Sequence, residues 1–405
     1  MIPELWSELL GWISGENRSL LLSHELLMNL AKFFPVPGRL LWSSRLLLSR
    51  RLIPAFSLCL ILLTSHASAQ SSWQQTLAAA KREGRVIVAG PPVAAHREAL
   101  MKFQAAFPDI KLELTTMSSG DYDVRVQRER EADQYLWDVS VRGTGPSVFN
   151  QHIPNGWYEP IKPALLPEVL DNTEWLGGFD AGFMDKGKRH VYAFGLDLSG
   201  NIYVNRDSAP ESVLQKVEDL LDPRWKGKIA VYDPRIRGPG ATAIVALRRA
   251  LGDAGVKRLL VDQGAVVTNT TRQLAEWLVR GRYPIAIGAT IAEVKRLQKE
   301  GVGLNTKRLA PPKEVVGPAW GALYLLNRAP NPNAARVFAN WLLGRDAQTA
   351  WSHFADVNSR RVDVPTASPE VAVDPKKLDD YLQINMEENE PHYAGAIQFS
   401  KQVLK

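Results

Sequence analysis

The chain has 405 residues, of which 45% are hydrophobic and 23% charged, ordinary globular material with enough apolar content for two sizeable cores. Its formal net charge is +6, yet lysines and arginines are interleaved with acids along the whole length. That excludes the concentrated basic stripe by which a protein holds nucleic acid.

The first 69 residues read differently from the rest. Arg45, Arg50 and Arg51 flank an apolar run from Leu52 to Leu63, and Ala67-Ser68-Ala69 supplies the small residues of a cleavage site. This order predicts an export signal over 1–69, cut after Ala69, with Met28 as a candidate start. The run is shorter than the roughly 20 residues a membrane span needs. Ser49-Arg50-Arg51 hints at twin-arginine export, although Pro54 sits where that signal prefers an apolar residue, so both export routes stay open. The single cysteine, Cys59, lies in the apolar run and leaves with it. Leu58 precedes it, where a lipid anchor needs a small residue. The exported chain is then without disulfide, thiol nucleophile or cysteine metal site.

From Trp73 onward β and α signals alternate. Strands are predicted at 84–89, 110–116 and 137–141, with helices at 94–107 and 122–134 between them. This repetition implies a mostly parallel sheet covered on both faces. Residues 191–205 carry two β-rich runs broken by Ser199-Gly200, with no helix between. A second series follows: strands at 228–232, 265–267 and 283–288, and helices at 241–251, 271–280 and 292–300. Thr270 with Gln273 suggests a capping box, and Gly281 and Gly301 end their helices. A strand at 322–326 and a helix at 334–343, with Asn333 as its cap, come next. Residues past Gly344 are expected to be mostly helical and to return to the first lobe, with 365–375 as a linker. The expected division is 1–69 export region, 70–200 lobe I, 201–317 lobe II, and 318–405 back to lobe I with the C-terminal helices.

Two α/β lobes joined by extended crossovers leave a cleft, where small ligands usually bind. The stretch GPGATA, Gly238 to Ala243, fits G-x-G-x-x-A, but Asp233 to Arg237 separate it from its strand and Pro239 removes an amide donor. A dinucleotide site is therefore disfavoured. What survives is a tight turn at Gly238 and Gly240, a helix start at Ala241 and Thr242, and Arg235 and Arg237 beside it. Helix starts attract anions through unpaired amides and the macrodipole; a plain turn with solvated arginines explains the same residues. Ser118 and Ser119, and Arg142 with Thr144, follow strand ends of the first lobe, where open α/β sheets take ligands. Trp320 offers either a stacking wall or hinge packing. The histidines after residue 69 (His96, His152, His190, His353, His392) are scattered, so neither a metal site nor a Ser-His-Asp set can be drawn. No cofactor is expected.

The segments DLLDPRWKGKIAVYDPRIRGPG (Asp219–Gly240), RGRYPIAIGA (Arg280–Ala289), RAPNPNAARVFANWLLGRDAQ (Arg328–Gln348) and NSRRVDV (Asn358–Val364) resemble the extracellular solute-binding proteins of ABC importers, in the group around ferric-iron uptake. The resemblance runs from about Trp73 to Val364. It implies a type 2 periplasmic binding fold, α/β and bilobal, with two doubly wound sheets on a two-crossover hinge near 198–203 and 316–322. It also implies a periplasmic monomer that hands its solute to a membrane permease and ATPase. The family's iron binders hold metal through adjacent tyrosines, which fall at Ile287-Gly288-Ala289-Thr290 here; the chain has no Tyr-Tyr. A hard ferric ion wants anionic oxygens. The expectation is therefore a small organic anion bound near Ser118, Ser119, Arg142, Thr144, Arg235, Gly240, Thr242 and Trp320, without turnover. A ferric-chelate binder and an exported enzyme on the same scaffold remain alternatives.

Overall fold

Lobe I is seeded by a strand buried on both faces. In β1 (Arg85–Gly90) Val86 and Val88 are fully buried on one face and Ala89 is buried on the other, as a central parallel strand requires. This is a computed structural model, and it describes residues 72–404; the export-signal region and Cys59 lie outside them. A first helix, α1 (residues 72–83), precedes β1. Helix α2 (Ala94–Ala106) crosses to β2 (Lys111–Thr116), and α3 (Ser119–Glu131) to β3 (Val139–Arg142). Both β2 and β3 pair parallel with β1, through Val88↔Leu114 and Val88↔Val139.

After β4 (Tyr192–Ala193) the chain leaves lobe I along β5 (Asp197–Ser199). Lobe II comprises β6 (Ile202–Asn205), β7 (Ile229–Tyr232), α4 (Pro239–Lys257), β8 (Val266–Thr268), α5 (Thr271–Val279), β9 (Ile285–Ile287), α6 (Ile291–Lys299) and β10 (Thr306–Leu309). Its sheet order is β10-β6-β9-β7-β8. The chain returns through β11 (Val315–Gly317), antiparallel to β5 with Val316↔Leu198. Two antiparallel crossovers side by side form the hinge. Then β12 (Ala322–Leu325) completes the lobe I sheet in the order β2-β1-β3-β12-β4, and α7 (Pro332–Leu343) and α8 (Arg345–Ala355) pack behind it.

The last segment departs from expectation. Residues 356–381 are largely irregular, and the stretch expected as a linker packs on the hinge, where Val371 is buried with Leu196, Leu198 and Val316. A short strand, β13 (Leu382–Gln383), joins the hinge sheet beside β11. The final helix, α9 (Glu390–Val403), lies against lobe II, with Tyr393 and Ala396 buried in the same core as α4. The expectation that everything past Gly344 packs on lobe I is thus corrected: the final helix buries apolar side chains in the lobe II core instead.

Two caps also differ. Thr270 makes no cap bond, and Gln273 instead accepts from Thr268 Oγ1 at 2.6 Å. The start of α7 is capped from afar: Glu83 at the end of α1 accepts from Asn333 N, Asn333 Nδ2 and Ala334 N at 3.2, 2.7 and 2.7 Å. A carboxylate at a helix start satisfies orphan amides and the dipole together.

Candidate functional site

The loops that follow β3 and β7 meet between the lobes. A Cβ added at Gly145 would lie 3.8 Å from Arg237 Nε. The hinge turn also approaches lobe II, because a Cβ at Gly200 would sit 2.8 Å from the Thr242 backbone. Gly200 itself has φ +65, a conformation glycine adopts without penalty.

On the lobe II side, the loop 233–238 joins β7 to the start of α4 and folds back so that the two pack together. Gly240 is packed so closely that a Cβ there would be 2.0 Å from Tyr232 O, and one on Gly288 would be 2.8 Å from Gly240 N and Cα. Gly288 follows β9, so two strand ends and a helix start converge on one point. Thr242 is 8% exposed, and its Oγ1 donates to Gly238 O at 3.2 Å. The Gly238 amide is taken by Tyr393 Oη at 2.8 Å. The amides of Gly240 and Ala241 have no protein acceptor among the described residues, which leaves two donors of the helix start unpaired although both residues are buried.

The arginines are less available than the sequence suggested. Arg235 is forked onto Asp233, with Nε to Oδ1 at 3.0 Å and Nη2 to Oδ2 at 2.9 Å. That hydrogen-bonded guanidinium holds the Asp233 carboxyl below its ordinary value. Arg237 is forked onto Glu390 at 2.7 and 3.1 Å and lies 4.1 Å over the Tyr393 ring. Both pairs are fork-to-fork, the strongest form of this contact.

On the lobe I side, Ser118 caps α3: its Oγ accepts from Asp121 N at 3.1 Å and donates to Asp121 Oδ2 at 2.7 Å. Ser119 and Trp320 flank Gly143, where an added Cβ would be 3.9 Å from Ser119 Oγ and 4.0 Å from Trp320 Cε3. The Trp320 ring is held there by an unusual turn. Gly321 N donates to Pro318 O at 2.7 Å, and the two central residues, Ala319 and Trp320, have φ +45 and +72. Two adjacent non-glycine residues in the left-handed region cost on the order of 1 kcal/mol each or more. Such strain persists only where the surroundings fix it, and here it leaves Trp320 36% exposed.

Arg142 does not reach this surface. It is 3% exposed, its Nη1 pairs with Asp123 Oδ1 at 3.1 Å, and its Nη2 donates to Tyr158 Oη at 2.7 Å. Its guanidinium lies 4.7 Å over both Tyr122 and Tyr324. The last residue of β3 keeps the inward orientation of the strand, so this arginine is sealed in a cage of phenols. Thr144, two residues on, is 8% exposed and donates to Asn385 O at 3.1 Å.

Ser119 and Trp320 thus lie together at Gly143 in lobe I, and Gly240 and Thr242 at the start of α4 in lobe II, while Arg235 is turned onto Asp233. Ser118 serves α3, and Arg142 serves the lobe I core. Sequence reasoning missed Asp233, Glu390, Tyr393 and Gly288; the glycine carried a signal as the residue ending IAIG just before a helix, and Asp233 carried one as an acid two residues before Arg235. A hollow of about 570 Å³ lined by Lys162, Asn172 and Gly177 to Asp180 belongs to lobe I alone. Lys162 and Asp180 already pair beside it at 2.5 Å, so the interlobe loops are the stronger candidate. The histidines near the site are packing groups: His152 stacks on Trp157 at 4.1 Å, and His96 meets Trp351 edge-on at 4.7 Å.

Residues 98–377 match the family described as bacterial extracellular solute-binding protein. A curated relative, an uncharacterized protein from Haemophilus influenzae, is 24% identical over 275 residues, covering 67% of this chain and 76% of that one. Among solved structures, iron-bound HitA from Pseudomonas aeruginosa matches with a TM-score of 0.59 at 15% identity, covering 79% of this chain and 99% of that one. The periplasmic binding protein P5PA matches at 0.56 and 21% identity, with 80% and 100% covered. At these identities the structures establish the bilobal fold, and the family model covers most of the chain. The chain belongs to the bacterial extracellular solute-binding proteins and has the bilobal fold of type 2 periplasmic binding proteins.

Proposed function

We propose that this protein captures a small organic anion between its lobes in the periplasm, after removal of its export signal, and delivers it as a monomer to a membrane permease driven by an ATPase. One observation carries the anion: the two unpaired amides of Gly240 and Ala241 at the start of α4. Amides at a helix start hold an anion without a neutralising cation of their own. That matters here, because Arg235 and Arg237 already carry carboxylate partners. Trp320 supplies an apolar wall for the organic part of the solute. Closure about β5 and β11 completes the enclosure.

A ferric-chelate reading draws on the iron-bound HitA neighbour. It requires the chelator to bring the oxygens, since the stretch Ile287 to Thr290, where the resemblance places the iron binders' tyrosines, contains none. Calorimetric titration with phosphorylated sugars, small carboxylates, ferric citrate and bare ferric ion separates the readings. Binding of an organic anion with a smaller radius of gyration is expected, and bare iron should give no heat. Iron citrate binding without any response to iron-free anions favours the second reading. Conversion of any bound candidate to a product favours an enzyme.

A further inference from the structure

The chain crosses between the lobes a third time, in residues that lie beyond the family match. After β13 pairs with β11, it is fastened to lobe I. Asn385 O accepts from Thr144 Oγ1 at 3.1 Å, Glu387 N donates to Met184 O at 2.9 Å, and Glu387 Oε2 accepts from Lys186 N at 2.8 Å. Met386 packs on the lobe I cluster of Trp137 and Trp157. Only three residues later it is fastened to lobe II. Glu390 forks Arg237, and Tyr393 Oη both accepts from Gly238 N at 2.8 Å and donates to Gly238 O at 2.9 Å.

One anchor of each set, Thr144 in lobe I and Arg237 with Gly238 in lobe II, lies on the β3 and β7 loops that meet across the mouth of the site. Residues 387–389 between them are wound into a single 3₁₀ turn. Pulled straight, the three peptide steps from Glu387 to Glu390 reach roughly 10 Å, and the wound turn is the slack available for opening.

We propose that residues 385–393 form a strap that limits how far the lobes open: with both anchors made, the β3 and β7 loops separate only by the slack of the 387–389 turn, and wider opening requires release of Arg237–Glu390 and Gly238–Tyr393. The strap acts whatever the solute is. It also places an acid and a phenol of the protein's own beside the start of α4.

The test is the interlobe distance in the absence of any added solute. Spin labels are placed at the exposed positions Val124 on α3 and Arg272 on α5 in a Cys59→Ser background, and distances are read by double electron–electron resonance. The strap is broken at its lobe II end by Glu390→Gln with Tyr393→Phe, and separately at its lobe I end by Thr144→Val combined with Met386→Ala and Glu387→Ala. The expected result is a distribution that extends to longer distances in both variants than in the unaltered chain. Arg248→Lys is the control: Arg248 holds α9 through Phe399 at 5.1 Å and pairs with Asp253, away from the anchors, and should leave the distribution unchanged. Folded strap variants with the original distribution overturn the proposal. So does an equal widening in the control, which would trace the effect to loosening of α9 in general.

Discussion

Gly240→Ala tests the convergence of strand ends and helix start directly. The new Cβ would lie 2.0 Å from Tyr232 O, 2.8 Å from Tyr232 C and 3.3 Å from Asp233 C. An ordinary carbon–oxygen contact is roughly 3.4 Å, so the overlap is more than an ångström and every opposing atom is backbone. Strand β7 cannot retreat, because it is held in register on both sides by β8 and β9. Helix α4 must therefore shift, which strains the Thr242–Gly238 and Gly238–Tyr393 bonds. Overpacking of this kind costs about 1–3 kcal/mol, and the upper end applies where no side chain can rotate away. At about 2–4 °C per kcal/mol for a domain of this size, Tm should fall by roughly 6–12 °C. Differential scanning calorimetry reads the shift. A Tm within about 1 °C of the parent would refute the packing argument, and with it the placement of the α4 amides.

Three further outcomes are expected. Asp123→Ala leaves the buried Arg142 without its carboxylate and should cost about 3–5 kcal/mol in urea unfolding; an effect under about 1 kcal/mol would mean the phenol cage suffices. Trp320→Gly relieves a left-handed residue while removing the wall, so thermal stability should hold or rise as solute affinity falls; a large loss of Tm would make Trp320 a packing residue instead.

The third outcome is a pH profile. Burial pushes the Asp197 carboxyl up to about 7, against the hydrogen bonds from Asn358. The folded state then holds a proton that the unfolded state releases near pH 4, so this group's contribution is greatest at low pH and is lost as pH rises toward 7. His96 and His152, lowered chiefly by burial to about 4 and about 3, act oppositely: their contribution is present above about 6.5 and lost as pH falls. Asp197→Asn should therefore gain stability relative to the parent from pH 4 to 7, on the order of 4 kcal/mol at the top. Parallel unfolding profiles would contradict it.

How much of this was legible follows from range along the chain. Both lobes were readable because their strands and helices are local patterns: the apolar runs of β1 and β7, and the glycines that end α5 and α6. The turn at Gly238 and Gly240 was readable because glycine marks close approach. The fate of Arg237 was not, since Glu390 meets it across 153 positions and no local rule pairs them; Arg235, by contrast, meets Asp233 two positions away. Arg142 misled because a strand end can project into the core or out of it, and only the registered sheet decides. The α7 cap was misassigned for the same reason: Glu83 reaches it across 250 positions, outbidding the nearer Asn333.

The central claim is capture of a small anion without chemistry. Mass spectrometry of molecules released on denaturing protein purified from the periplasm tests it most directly. The expected result is one organic anion near one per chain, retained by the parent and depleted in Trp320→Gly. Release of bare metal, of a substrate with its product, or of no small molecule even after equilibration with periplasmic extract would contradict it.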